Sequence, residues 1–405
     1  MINLELGKQH QETFEQTMML AEHMMRPFSR KYDKEEHTYP KEMEQVVELI
    51  SAGRSEAMGG GGKKDEKKKA EPEGVVNGGN MGAVVGLFGL CWGDVGLFLG
   101  MPGSGLGNAA INAVGTPEQR KKYGNSYAAM CITEPGTGSD SANISTTAVA
   151  DGDEWVLNGE KIYVTDGDRC NTLVVWATLD KSLGKAAIKS FIVEKGTPGC
   201  EVTRLEHKLG IRASDTAAIS FSDCRIPKEN ILGSAEVATD AEGRKKAFGG
   251  VMQTFDNTRP PVAAMAIGTA RAALDMTQDI LKEEGIQLKF DRKPINLSAI
   301  EAELVRMESE WSAARLMVLK AAWMADNKQP NSMEASMCKA KAGRVGNDIT
   351  LRCVALCQSL GYSENHLLEK FARDSKILDI FEGTQQIQQL IVARRVLEKS
   401  SSELK

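Results

Sequence analysis

The chain has 405 residues, of which 41% are hydrophobic and 26% charged, and it carries a formal net charge of −5. That length exceeds one ordinary core and points to two or three domains, while the acidic balance argues against the phosphate-neutralising surface of a nucleic-acid-binding protein. No run approaches eighteen consecutive apolar residues, and the first residues lack a charged start followed by an apolar core, so no membrane span and a cytoplasmic location are expected.

In chain order, residues 1–130 read as a helical domain, with apolar residues at mixed three and four spacing over 4–28, 42–52 and 84–100. A Gly- and Lys-rich insert at 59–72 interrupts it, with neither apolar period nor bulk. It reads as a solvated mobile loop, with a basic docking patch as the functional alternative. Residues 131–238 change to period two, with strands at Trp155-Val156-Leu157, Ile162-Tyr163-Val164, Leu173-Val174-Val175-Trp176 and Ser190-Phe191-Ile192-Val193. Asp151-Gly152 and Asn158-Gly159 are expected to turn tight hairpins between them. From 239 to 405 the helical period returns. Ser298 with Glu301 gives a capping-box signal, and Ile300, Leu304, Met307, Trp311, Ala314 and Val318 mark a buried helix-bundle face. The expected fold class is therefore α+β and multidomain: a helical domain, an antiparallel β-barrel or sandwich, and a C-terminal helical domain.

Eight cysteines lie scattered without Cys-x-x-Cys spacing, and five histidines form no ligand or triad pattern, so neither a metal site nor nucleophilic catalysis is expected. The run Gly100-Met101-Pro102-Gly103-Ser104-Gly105-Leu106-Gly107 only superficially resembles a dinucleotide-binding loop, because Pro102 interrupts it.

Glu382 stands in Phe381-Glu382-Gly383-Thr384-Gln385-Gln386, between two apolar helical stretches. A carboxylate at such a Gly-flanked turn can project into a cleft that raises its pKa and suits it to take a proton. Upstream stand Cys131-Ile132-Thr133-Glu134-Pro135-Gly136-Thr137-Gly138-Ser139-Asp140, Lys161-Ile162-Tyr163-Val164-Thr165-Asp166, Leu209-Gly210-Ile211-Arg212-Ala213-Ser214 and Phe255-Asp256-Asn257-Thr258-Arg259-Pro260. With these five motifs in register, the chain resembles the acyl-CoA dehydrogenases, most nearly the medium-chain type, from about residue 82 to 397.

That resemblance implies a C-terminal four-helix bundle, FAD as cofactor, an acyl-CoA substrate, an electron-transfer flavoprotein as electron acceptor and a tetrameric assembly. It implies that Glu382 is the base that removes the substrate α-proton, with no rival at Thr258, where a minority of relatives place the base. Cys131, Ile132 and Thr133 would meet the flavin pyrimidine edge, Thr165 the N5 region and Tyr163 the ring system. Gly138, Val164, Thr384 and Gln386 would complete the cofactor contacts. Ser139 would contact both cofactor and CoA, Asp256 and Arg259 the CoA arm, and Gly383 the substrate beside the Glu382 N–H that binds the thioester oxygen. Most relatives carry Trp at Tyr163 and Asn at Asp166, which implies less stacking area and an extra charge in this turn.

Two segments depart from the pattern. Gln287-Leu288-Lys289-Phe290-Asp291 replaces an Arg-x-x-Phe-Gly run, and Ala355-Leu356-Cys357-Gln358-Ser359-Leu360-Gly361 replaces a Gln followed by Gly-Gly-x-Gly; both belong to the grip on a neighbouring subunit's FAD. Losing the Arg removes a charge-assisted phosphate contact, and losing two glycines blocks close backbone approach. A heterotetramer with a related second subunit is favoured on this basis; a homotetramer in which Lys289 or Arg292 takes the phosphate contact is the alternative. An enoyl-CoA reductase running the same chemistry backward and a catalytically silent structural subunit are further readings, the latter opposed by the intact Phe-Glu-Gly-Thr run.

Overall fold

The structure, a computed structural model, describes all residues except 1–5, 58–76, 104, 238–240, 401–402 and 404–405, and it leaves out the side chains of 52–57 and 241–257. The expectation for the insert at 59–72 lies outside the described residues.

The amino-terminal part is helical. Helix α1 (Lys8–Leu20) runs on through a π-helical turn at Ala21–Met25 and a 3-10 turn containing Pro27 into α2 (Ser29–Lys34), followed by α3 (Glu42–Ala57), α4 (Gly79–Leu99), α5 (Leu106–Val114) and α6 (Pro117–Tyr123). Helix α4 is apolar on most of its surface and is long enough, by length and composition, to cross a membrane. Here most of it is buried instead, and glycines let it approach its neighbours. A Cβ on Gly93 would lie 2.8 Å from that of Ala21. The helix breaks at Asp94 (φ −166°, ψ 116°), whose buried carboxylate accepts from Lys370 Nζ at 2.7 Å and from the Leu97 N–H at 2.8 Å.

Eight strands then form one sheet: β1 (Ala128–Cys131), β2 (Thr147–Asp151), β3 (Glu154–Thr165), β4 (Thr172–Thr178), β5 (Ile188–Glu194), β6 (Cys200–Leu205), β7 (Thr216–Pro227) and β8 (Ile231–Leu232). Their order is β6-β7-β3-β2-β4-β5-β8, with β1 parallel to β4. All seven residues of β4 are buried, so this central strand reads as a continuous apolar run rather than an alternating one. The Asp151-Gly152 hairpin forms as expected, with Gly152 at φ 60° between β2 and β3. Asn158-Gly159 does not turn the chain. It is a bulge inside β3, where the register with β7 shifts, and a Cβ on Gly159 would lie 2.5 Å from Thr146 Oγ1. The glycine serves a close approach, not a hairpin.

The carboxy-terminal part packs α7 (Ala241–Glu283), α8 (Ala299–Asp326), α9 (Ser332–Tyr362) and α10 (Leu368–Leu378) as a four-helix bundle, with α11 (Gln385–Val396) laid against α9. The Ser298–Glu301 capping box opens α8 with both reciprocal hydrogen bonds. Leu304, Met307, Ala314 and Val318 are buried as the spacing predicts, and Trp311, partly buried, donates its indole N–H to the Ile267 carbonyl at 2.9 Å. The sheet is tied to this bundle by the Leu209-Gly210-Ile211 loop. A Cβ on Gly210 would meet the Arg373 backbone at 2.5 Å, and the Ile211 N–H donates to Asp374 at 2.6 Å.

Candidate active site

Helix α10 ends at Leu378, and the turn that follows carries Glu382 (φ 55°) and Gly383 (φ 92°) in consecutive left-handed conformations before Thr384 caps α11 by accepting from the Ile387 N–H at 3.4 Å. The φ of Gly383 favours glycine, and a side chain there, 2.5 Å from Gln388 Nε2, would displace the Gln388 amide. The Glu382 carboxylate points back to α7, where Thr258 Oγ1 donates to its Oε2 at 3.0 Å. Burial pushes the Glu382 pKa up; the Thr258 hydrogen bond and the charges of Lys339 and Arg259 oppose this without cancelling it. The Glu382 N–H has no hydrogen-bond partner among the described residues. A carboxylate with a raised pKa and an N–H without a partner among the described residues therefore occupy one residue.

Sequence reasoning missed Lys339. It lies on α9, fully buried, and donates from Nζ to the Gly383 carbonyl at 2.7 Å. Gln388 supports the same turn, donating to the carbonyls of Glu382 at 3.0 Å and Gly383 at 3.2 Å. The signal was a lysine among Ala335, Cys338 and Ala342, on what is otherwise an apolar helical stripe.

Asp256 and Arg259, which the resemblance assigns to the CoA arm, lie inside α7, which carries Pro260 and Pro261 in its interior, and Arg259 is buried, with Nη1 donating to Ser336 Oγ at 3.3 Å. Each proline lacks the N–H that would close an i→i−4 bond there, so two ladder bonds are missing inside α7. The Asp256 side chain lies outside the described residues.

On the sheet side, a buried ion pair fixes the two strand segments. Lys161 Nζ donates to Glu134 Oε1 at 2.8 Å and to the Ile132 carbonyl at 3.1 Å, and the Ile162 N–H donates to the Thr133 carbonyl at 2.9 Å. Burial would raise the Glu134 pKa, but donation from Lys161, Ser145 and Thr146 overrides it and holds the carboxyl down at about 2. Neither the Thr133 nor the Thr165 hydroxyl, both only partly buried, makes a hydrogen bond among the described residues, which leaves each available to a ligand. Beside them β3 is irregular between Lys161 and Val164, and Tyr163 (φ 57°) projects outward with 63% of its surface exposed. Cys131 and Val164 are buried sheet core and can offer a ligand little beyond backbone.

The Asp166 side chain is buried beside Asp215, and burial first, then that second carboxylate, push its pKa well upward. Its φ of 60° is one that Asn and Asp tolerate better than other side chains. Gly138, Ser139 and Gln386 are exposed. Among the departing positions, Gln287, Lys289, Asp291, Arg292, Ala355, Gln358 and Ser359 are all exposed. Gln358 adopts φ 49°, ψ −123°, a conformation suited to glycine.

Two family models match the chain, the acyl-CoA dehydrogenase middle domain over residues 129–224 and the acyl-CoA dehydrogenase C-terminal domain over 248–397. The chain is 35% identical to an NADH-dependent acryloyl-CoA reductase of Anaerotignum propionicum, over 72% of this chain and 73% of that one. It is also 35% identical to the caffeyl-CoA reductase-Etf complex subunit CarC of Acetobacterium woodii, over 75% and 78%. Among solved structures, butyryl-CoA dehydrogenase from Megasphaera elsdenii superposes with a TM-score of 0.83 at 28% identity, covering 98% of this chain and all of that one. A helical, sheet and helical architecture, a partly buried Glu in the Phe-Glu-Gly-Thr turn and these matches agree: the chain belongs to the acyl-CoA dehydrogenase family, whose members are flavin-dependent oxidoreductases.

Proposed function

We propose that this chain catalyses the flavin-dependent α,β-dehydrogenation of an acyl-CoA thioester, with Glu382 as the base. The observation that carries this reading is the pairing in one residue of a carboxylate with a raised pKa and an N–H that has no partner among the described residues. The N–H is suited to donate to the thioester oxygen as negative charge develops on it, which acidifies the α-carbon. Glu382 then takes the α-proton on its carboxylate, whose ionised form Thr258, Lys339 and Arg259 favour against the opposing effect of burial.

The Thr133 and Thr165 hydroxyls, without a partner among the described residues, and the outward Tyr163 suit a flavin ring laid along the β1–β3 edge, with Ile132 backbone beside it. When bound, the flavin supplies the acceptor for the β-hydride, which no protein side chain can provide. Ser139, Asp256 and Arg259 are proposed for the CoA arm, although Arg259 would reach it only from a buried position. An electron-transfer flavoprotein is proposed as redox partner, supported by a relative named as part of an Etf complex.

A second reading is reduction of an enoyl-CoA by the same residues, with Glu382 returning the α-proton; the reductase names of two relatives favour it. Anaerobic mixing of the flavin-loaded protein with saturated acyl-CoA thioesters tests both. Bleaching of the oxidised flavin band by a saturated thioester supports dehydrogenation, and its loss in Glu382→Gln, by a factor on the order of 10² to 10⁴, supports the base. Near wild-type bleaching in Glu382→Gln sinks the assignment.

A further inference from the structure

We propose that Lys339 is a positioning residue for Glu382, its buried ammonium fixing the Gly383 carbonyl from behind and setting the aim and the basicity of the Glu382 carboxylate. This rests on the reading of Glu382 as the base.

Lys339 is fully buried on the face of α9 that also buries Ala335, Ser336 and Ala342, a stripe at helical spacing where an apolar residue would pack at no cost. Burying an ammonium is expensive unless something compensates. Its hydrogen-bond acceptor among the described residues is the Gly383 carbonyl at 2.7 Å. Satisfying that carbonyl does not require a charge, because the neutral amide of Gln388 already donates to it at 3.2 Å and to the Glu382 carbonyl at 3.0 Å. What Lys339 adds beyond Gln388 is a positive charge directly behind the carboxylate.

The charged groups that face it come from three elements. Asp379 and Glu382, at the end of α10 and in its turn, attract it, and Arg259 from α7 repels it. Burial is the largest influence and lowers the Lys339 pKa to about 8. Two consequences follow. While protonated, Lys339 favours the ionised form of Glu382, the form that can accept a proton. By holding the Gly383 carbonyl it also keeps residue 382 at φ 55°, the conformation that presents the Glu382 N–H and carboxylate together. An apolar replacement leaves the Gln388 contacts in place and removes only the charge and its tether.

The test compares Lys339→Met, similar in length and neutral, with Gln388→Ala and Glu382→Gln in the flavin-loaded protein. For Lys339→Met we expect kcat to fall roughly 10- to 100-fold with KM changed much less, since misaimed catalytic groups cost rate rather than binding. Its acid limb should move to higher pH, because loss of a neighbouring cation raises a carboxylate pKa. Gln388→Ala should keep the wild-type acid limb. In the wild type, a second transition near pH 8 should appear in kcat and be absent from Lys339→Met. A Lys339→Met protein with wild-type kcat and an unmoved acid limb overturns the proposal. Should that variant fail to fold, a wild-type kcat that is flat from pH 7 to 9 overturns it instead. If Glu382→Gln retains activity, the base assignment itself has failed; if Glu382→Gln is inactive while Lys339→Met behaves as wild type, only the role of Lys339 has.

Discussion

The hydroxyl of Thr258 on α7 donates to Oε2 of Glu382 at 3.0 Å, joining two helical segments at the proposed base. A hydrogen bond to the ionised form lowers a carboxylate pKa, so it opposes the upward push of burial on Glu382. Thr258→Val keeps the side-chain shape and deletes the donor. The Glu382 pKa should then rise further, and because the base must be ionised, activity should require higher pH and the acid limb of kcat should shift upward. An acid limb that stays in place or moves down would falsify the assigned direction.

The same contact makes Thr258 a second place from which a carboxylate can reach the substrate. Thr258→Glu combined with Glu382→Gln should recover part of the activity that Glu382→Gln loses, measured as the rate of flavin bleaching by a good acyl-CoA. No recovery in a folded, flavin-loaded double variant would mean that the hydroxyl position cannot stand in for the base.

Thr133 and Thr165 are proposed to hold the flavin ring through hydroxyls that take no partner among the described residues. Replacing both with Val preserves the β-branched shape and removes two hydrogen bonds of about 0.5 to 1.5 kcal/mol each. FAD affinity or its midpoint potential should change accordingly, read by dialysis against excess apoprotein and by spectroelectrochemistry. Unchanged retention, spectrum and potential in the double variant would make both residues strand filler.

The ion pair of Glu134 and Lys161 is buried on both sides, at 2.8 Å. Removing one partner leaves an uncompensated buried charge, so Lys161→Met should destabilise the fold by about 3 to 5 kcal/mol. Lys161→Met with Glu134→Gln should recover much of this in denaturant titrations. The folded Glu134 pKa is held at about 2, below its ordinary value near 4.5. Its stability contribution is therefore present above about 4.5 and is lost as pH falls toward 2. Lys161 is itself lowered by burial despite its partner, but it stays charged in both folded and unfolded chains at acid pH, so the acid-side loss follows the carboxylate. Glu134→Gln should flatten stability between pH 5 and 2.

Local signals carried much of this architecture. Ser298 with Glu301 announced the start of α8, and the apolar spacing from Leu304 to Val318 gave its buried face, because capping and helical period act within a few residues. Asn158-Gly159 misled because a glycine needed for contact with Thr146 looks, in sequence, like one needed for a turn. Glu382 and Thr258 were legible as motifs, but their hydrogen bond was not. Lys339 was invisible because it lies 43 residues before the base and meets it only when α9 packs on the α10–α11 turn. The upward shift of the Asp166 pKa likewise depends on burial and on Asp215, which arrives from β7's leading loop.

The last expectation concerns assembly. Gln287, Asp291, Ala355, Gln358 and Ser359 stand on the exposed α7–α8 loop and the end of α9, where the family pattern calls for an Arg and glycines that grip a neighbour's FAD. Gln358 keeps a glycine-like backbone (φ 49°, ψ −123°) while carrying a long side chain, a strain on the order of 1 to 3 kcal/mol. Expressed alone, this chain should bind FAD weakly or below one per chain, and co-expression with a related subunit that supplies the Arg and glycine stretch should restore one FAD per pair. Gln358→Gly should raise thermal stability by relieving that backbone, and combined with Ser359→Gly it should raise FAD retention in the chain alone. A homotetramer purified alone with one tightly held FAD per chain and full turnover would mean that Lys289, Arg292 or other local groups replace the lost contacts, and the two-subunit assembly would be discarded.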